Sequence, residues 1–159
     1  MELQIIQNEI YEIRGMRVML DFDLAEMYGT ENKRLKEAVR RNINRFPSDF
    51  MFELGREEYN SLRTQFATLE KSGRGKHIKY LPFAFTEQGV AMLSSILNSP
   101  KAIEINISIV RAFIALRQYA LGYVEPKPKT RKFYDRIKYA IQRHLPGINR
   151  TGKNKGGRR

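Results

Sequence analysis

The pattern of apolar and polar positions changes from strand-like to helix-like near Asp21. Within the segment from Ile5 to Leu20, side chains alternate with a period of two over residues 10–15 and again over residues 16–20. This alternation predicts two short strands joined by a turn at those two residues. Beyond Asp21 the apolar positions recur every three or four residues, which is the spacing of an amphipathic helix.

Two helices separated by about three residues are predicted next. Asp21 or Asp23 can cap the first helix, which ends at Gly29. Thr30 can cap the second, which covers about residues 30–46. This spacing is typical of a helix-turn-helix, and an ordinary helical hairpin in the core is the alternative.

The second helix has one apolar side and one strongly basic side when its residues are placed at 100° intervals. The apolar side is predicted to contain Leu35, Ala38, Val39, Asn42, Ile43 and Phe46. The candidate DNA contacts on and beside the opposite side are Lys33, Arg34, Lys36, Glu37, Arg40, Arg41, Asn44 and Arg45. Glu37 is the single acid among them, so the bases lack the paired acids that a solvated helix usually carries. Arginine and asparagine also read guanine and adenine in the major groove, so we predict a DNA-reading helix, with a merely solvated basic face as the alternative.

The remaining elements are predicted from shorter patterns. We expect a strand at 50–54, a short amphipathic helix at 55–62, two weak strands within 65–80, a buried strand or packed turn at 81–85, a helix at 87–97 capped by Thr86, and a long helix from Ser99 to Leu121. The two weak strands enclose a basic hairpin loop in which Arg74 and Lys76 are predicted to contact DNA phosphate, as in a winged DNA-binding domain. A flexible surface turn is the alternative for this loop.

The long helix has two apolar stripes. One contains Ile103, Ile107, Val110, Ile114 and Leu121, and the other contains Ile105, Ile109, Phe113, Leu116 and Ala120. A helix can turn only one such stripe toward its own core, so the second needs a partner. We therefore predict a homodimer formed through this helix.

The net charge of +12 is concentrated in the last part of the chain. Residues 1–124 carry 17 Lys and Arg against 15 Asp and Glu, whereas residues 125–159 carry 12 against 2. These two ranges are also the predicted domains, a folded body and a basic tail, and residues 132–145 of the tail have the spacing of a short amphipathic helix. The tail can attach the protein to DNA phosphate, and a membrane surface or an acidic protein partner are the alternatives.

Several classes of protein are disfavoured by the composition. The chain has no cysteine, no apolar run of the roughly 18 residues that a membrane span needs, and an acidic rather than basic N-terminus. We therefore expect a cytoplasmic protein that does not insert into a membrane and, in a bacterial host, associates with the nucleoid. His77 and His144 have no evident metal partners in the sequence, and neither a nucleotide-binding loop nor a catalytic motif is evident, so no cofactor, metal or enzymatic activity is predicted.

Four blocks between Ile13 and Gln118 resemble one known family. They read IRGMRVMLDFDLAEMYG, AVRRNINRFPSDFMFEL, LPFAFTEQGVAMLSSIL and IVRAFIALRQ, and together they are similar to the ORF-six N-terminal domain of the phage KilA-N superfamily. The resemblance implies a small α+β DNA-binding domain of the kind found in phage antirepressors and bacterial regulators, with no known cofactor. Within these blocks, RRN at residues 40–42, RFP at residues 45–47 and FTEQG at residues 85–89 match motifs of that family. We interpret Asn42 and the RFP and FTEQG motifs as mainly structural.

The predicted fold is thus α+β, with short N-terminal strands, a helix-turn-helix, a basic hairpin loop and a long C-terminal helix followed by a basic tail. The predicted function is sequence-specific binding of double-stranded DNA as a transcriptional regulator or phage antirepressor-type protein, with the helix at about residues 30–46 in the major groove. The alternative is a protein-interaction module whose tail docks on an acidic partner without reading DNA.

Overall fold

Residues 3–68 and 80–122 are described by the computed structural model of the protein. The elements follow in the order α1 (Leu3–Gln7), β1 (Tyr11–Ile13), β2 (Met16–Leu20), α2 (Asp21–Tyr28), α3 (Asn32–Arg41), β3 (Met51–Glu53), α4 (Arg56–Thr68), β4 (Phe83–Thr86), α5 (Glu87–Leu93) and α6 (Pro100–Ala120). A short 3₁₀ turn, Ile43–Arg45, follows α3. The predicted α+β class is confirmed.

The described strands form one antiparallel sheet in the order β1-β2-β4-β3. In its interior, Ala84 of β4 pairs with Leu20 of β2 and with Phe52 of β3. The predicted turn joins β1 to β2, and both of its residues have positive φ angles, 55° at Arg14 and 72° at Gly15. Positive φ at two consecutive residues is the geometry of the type I′ turn, which suits the twist of a hairpin.

Alternation along the strands divides the interior into two apolar layers. Phe83 and Phe85 of β4 face the larger layer, which also contains residues of α1, α2, α3, α5 and α6. Ala84, between them, faces the smaller layer, where Leu62 and Phe66 of α4 cover the opposite face of the sheet. Because both faces are covered, β4 is apolar at nearly every position, as a strand buried on both sides must be.

The junction of β4 and α5 gives the FTEQG motif a structural role. The Thr86 hydroxyl caps α5 by accepting a hydrogen bond from the Gly89 N–H at 3.3 Å, and it donates to the carbonyl of Asp49 at 2.7 Å. A Cβ at Gly89 would stand 2.0 Å from the carbonyl oxygen of Phe50, so a larger residue would force the backbone apart. The aromatic ring of Phe85 is fully buried.

Three predictions about the extent of elements are wrong. The segment before β1 begins as helix α1 rather than as a strand, because it packs Ile6 against the larger apolar layer. Helix α4 continues to Thr68, so the start of the predicted weak strands is helical, while Arg74 and Lys76 lie outside the described residues. Helix α5 ends at Leu93 rather than at Leu97, because the chain leaves the helix in a turn at that point.

Helix α6 packs against α1, α2 and α5. Ser99 caps it by accepting a hydrogen bond from the Ala102 N–H at 3.2 Å, and Pro100 occupies its first turn, as predicted. One predicted stripe, including Ile109 and Phe113, is buried in the larger layer, whereas the other is largely exposed. Within the described ranges, no helix has the length and apolar character needed to cross a membrane.

Candidate nucleic-acid interface

A left-handed glycine separates α2 from α3. Helix α2 ends at Tyr28, and Gly29 has φ 69° and ψ 32°, so the predicted end of this helix is confirmed. The predicted caps are wrong, because Leu20 and Glu31 occupy the N-cap positions of α2 and α3, and neither helix has a side-chain cap hydrogen bond. Helix α3 consequently begins two residues later than predicted, at Asn32.

The carboxylate of Asp21 is buried beneath α3, where it binds Lys36. Lys36 Nζ lies 3.2 Å from Asp21 Oδ2 and donates a hydrogen bond to the carbonyl of Leu81 at 2.8 Å. Asp21 also accepts hydrogen bonds from the backbone N–H groups of Phe22 at 2.7 Å and Phe83 at 3.0 Å. Burial raises the pKa of Asp21, and the hydrogen bonds from Phe83 and Lys36 oppose this by stabilising the charged form. These contacts join the start of α2, the middle of α3 and the start of β4.

The prediction that Lys36 faces outward with the other bases is wrong. Its side chain is 7% exposed, and its ammonium lies 4.8 Å from the ring centroid of Phe83. Burying an ammonium is tolerable only when an opposite charge and further hydrogen-bond acceptors accompany it, and Asp21 and Leu81 provide them here. Lys36 therefore holds α3 to the body and adds nothing to its outer surface.

The other candidate residues of α3 and of the 3₁₀ turn are exposed. They are Lys33, Arg34, Glu37, Arg40, Arg41, Asn44 and Arg45. Among the described residues, none of these five bases forms an ion pair. Two of them are oriented by the body: the guanidinium of Arg40 lies 5.4 Å from the ring centroid of Phe83, and Arg45 donates to Ser95 Oγ at 3.1 Å. We name these exposed residues, together with Ile43, the basic face.

The 3₁₀ turn changes which side chains meet solvent after α3. The helix ends at Arg41, because Asn42 leaves helical geometry with φ −122° and its side-chain amide donates to the carbonyl of Ala38 at 2.8 Å. A continued helix would bury Ile43, as predicted, but this side chain is 54% exposed. Phe46 is buried as predicted. Asn42 therefore has the structural role that we expected, and the inward placement of Ile43 is wrong.

Residues 8–96 match the family described as the ORF6N domain. The chain belongs to the ORF6N domain family. The matched range contains the whole sheet and helices α2 to α5, and it ends before α6, so the block IVRAFIALRQ lies outside it. Neither a curated protein nor a solved structure matches the chain. ORF6N is a phage-type family of regulatory, DNA-binding-type domains.

One lysine next to the ORF6N domain could not be assigned to this region from sequence. A Cβ built on Gly29 would stand 2.8 Å from Lys101 Nζ, so the ammonium of Lys101 lies against the turn between α2 and α3. The carbonyl end of a helix favours a cation, which accounts for this position at the end of α2. Lys101 belongs to the first turn of α6, and only the packing of α6 on α2 brings it to the turn.

Proposed function

We propose that this ORF6N protein binds double-stranded DNA sequence-specifically, as a transcriptional regulator or phage antirepressor-type protein, with α3 and the 3₁₀ turn in the major groove. The observation that carries the proposal is the basic face, whose five exposed bases have no acid partner among the described residues. Like charges on one short helix repel one another, and DNA phosphates relieve that repulsion while releasing counterions.

The dimensions of α3 support groove binding. An α-helix with its side chains is about 10–12 Å across, and a B-DNA major groove is about 12 Å wide, so α3, whose ten residues extend about 15 Å, can lie along the groove. The Asp21–Lys36 pair fixes α3 to the sheet, which lowers the entropic cost of placing its side chains against bases.

The chemistry of the basic face supports base reading as well as phosphate binding. Arginine side chains such as those of Arg40 and Arg41 can donate two hydrogen bonds to guanine, and an asparagine side chain such as that of Asn44 can pair with adenine. Ile43 adds an apolar side chain between these polar groups, and such a side chain can contact the methyl group of thymine. A surface that offers both kinds of contact is suited to sequence selection.

Three further parts belong to the proposal. We propose that two further segments add phosphate contacts: the loop with Arg74 and Lys76, and the tail at 125–159. Only the positive charge of these segments supports this, because both lie outside the described residues. A homodimer through the exposed stripe of α6 would present two basic faces to a palindromic site. A protein with this function would act in the cytoplasm, on the nucleoid of a bacterial host.

The proposal is tested by replacing two arginines of α3 and, as a control, two arginines of α4. We expect the double variant Arg40→Ala/Arg41→Ala to bind duplex DNA at least tenfold more weakly, since one good base contact is worth about 1–3 kcal/mol. The plot of log affinity against log salt should also become shallower by about 0.9 for each phosphate that the variant no longer neutralises. The measurement is fluorescence anisotropy over a salt series, on a duplex selected from a random library.

The matched control is Arg56→Ala/Arg63→Ala on α4, which covers the opposite face of the sheet. It removes the same charge from exposed positions, so it should change affinity and salt slope little. If both variants bind DNA equally weakly while their circular dichroism is unchanged, binding depends on net charge alone. That result would refute the proposal that α3 binds in the groove. A palindrome recovered from the library would support two-fold symmetry in the bound protein.

A further inference from the structure

The exposed stripe of α6 has the spacing of a coiled-coil seam. Ile103, Ile107, Val110 and Ile114 are separated by four, three and four residues. The three isoleucines are between 36% and 49% exposed. Another helix laid along this seam would remove them from water, which is the main source of stability for helix pairs of this kind.

Two opposite charges lie on one edge of the seam. Glu104 and Arg111 are seven residues apart, and each follows a seam residue directly, so both project from the same side of the stripe. Both are exposed, and neither forms an ion pair with another described residue. The other edge of the seam contains Asn106 and Phe113, which are buried in the protein's own core.

The position of these charges selects an orientation for a pair of α6 helices. In a parallel pair, each edge of one helix meets the opposite edge of the other, so Glu104 would face the buried edge of its partner. In an antiparallel pair, like edges meet, and Glu104 of each copy lies beside Arg111 of the other. The charged edge is therefore complementary to itself only in the antiparallel arrangement.

We propose that α6 pairs antiparallel with α6 of a second copy, about a two-fold axis between Ile107 and Val110, with reciprocal Glu104–Arg111 ion pairs. In this register Ile103 packs against Ile114 of the second copy, and Ile107 packs against Val110. Every contact occurs twice, as a two-fold interface requires. The inference specifies the homodimer of the proposed function, and it does not depend on DNA binding.

Charge reversal in the full chain tests the register. The wild type is expected to sediment as a dimer at micromolar concentration, and Glu104→Arg and Arg111→Glu, each alone, should weaken the dimer about tenfold or more by opposing like charges. An equimolar mixture of these two variants should form a heterodimer, because every facing pair is again opposite in charge. The combined variant Glu104→Arg/Arg111→Glu should also regain dimerisation.

The control for these variants is Glu57→Arg, which makes the same change at an exposed position of α4 and should leave the dimer intact. A monomeric wild type would overturn the proposal and would point to another cover for the stripe, such as the tail. Single reversals without effect would overturn the antiparallel register. The Arg40→Ala/Arg41→Ala variant should still dimerise, so failure of DNA binding and failure of the dimer are separable.

Cysteine pairing gives an independent readout, because the chain has no native cysteine. Ile103→Cys mixed with Ile114→Cys should form an intermolecular disulfide under mild oxidation, since these positions meet across the axis. Ile103→Cys alone should not, because the two copies of residue 103 would be about 16 Å apart along the antiparallel pair. Efficient pairing of Ile103→Cys with itself would indicate a parallel pair and overturn the proposal.

Discussion

Helices α3 and α6 are both amphipathic, yet they expose opposite chemistry and are attached to the body in different ways. Helix α3 buries three of its ten residues and exposes bases, whereas α6 buries eight of its 21 and exposes isoleucines. The three buried residues of α3 are Leu35, Lys36 and Val39, so this helix is held by one buried ion pair and two apolar side chains, whereas α6 is held mainly by apolar area. The outer face of α3 accordingly suits an anionic partner, and that of α6 suits an apolar one.

The two helices are connected through α2. At one end of α2, Asp21 binds Lys36 of α3. At its other end, the hydroxyl of Tyr28 donates a hydrogen bond to Asn106 of α6, and burial in this contact raises the pKa of Tyr28. The basic face and the seam are therefore held on one framework by buried polar contacts at both ends of α2, so dimerisation through α6 would fix the distance between two basic faces.

The largest expected effect comes from breaking the ion pair that holds α3. Lys36→Met would leave the Asp21 carboxylate buried without its cation, which should lower the free energy of unfolding by about 3–5 kcal/mol. Lys33→Met removes the same charge from an exposed position of the same helix and should change the free energy by less than about 0.5 kcal/mol. Urea unfolding followed by circular dichroism measures the free energy of unfolding of both variants. Equal changes would contradict a structural role for Lys36.

The next effect contrasts the two stripes of α6 by making the same substitution at two positions within one helical turn. Ile109→Ala removes a fully buried side chain and should cost about 2–5 kcal/mol. Ile107→Ala lies on the exposed seam and should cost under about 1 kcal/mol when unfolding is measured at a concentration below the dimer dissociation constant. At high concentration, Ile107→Ala should become more costly. A concentration-independent value would count against the seam as an interface.

The smallest expected effects come from substitutions at the N-termini of α6 and α3. Ser99→Ala removes the side-chain cap of α6 and should cost about 1 kcal/mol. Thr30→Ala should cost much less, since α3 begins without a side-chain cap. Thermal unfolding of the two variants gives the comparison directly, and a larger destabilisation by Thr30→Ala would contradict the observed start of α3.

Several local features were predictable from neighbouring residues. The turn at Arg14 and Gly15, the helix end at Gly29 and the cap at Ser99 each depend on a few consecutive residues, whose conformational preferences are strong. The caps assigned to Asp21 and Thr30 were wrong, because Leu20 and Glu31 occupy the N-cap positions. A residue with capping potential can also be used by a distant partner, as Asp21 is by Lys36 and Phe83.

The basic face was predictable only in part. The helical period correctly places Lys33, Arg34, Arg40 and Arg41 outward. The period does not show that Asn42 ends the helix by bonding Ala38, so it could not predict the exposure of Ile43.

The sequence by itself determined the α+β class, the basic character of α3 and the existence of two apolar stripes on α6, because these follow from composition and local period. Its resemblance to known sequence blocks identified the family. The tertiary structure decided that Lys36 is buried, that Lys101 lies beside the α2–α3 turn, and which stripe of α6 faces the core. Each of these depends on contacts between segments far apart in the chain. The stability of a buried charge or of an apolar stripe is set by the groups that surround it, and those groups come together only in the folded protein.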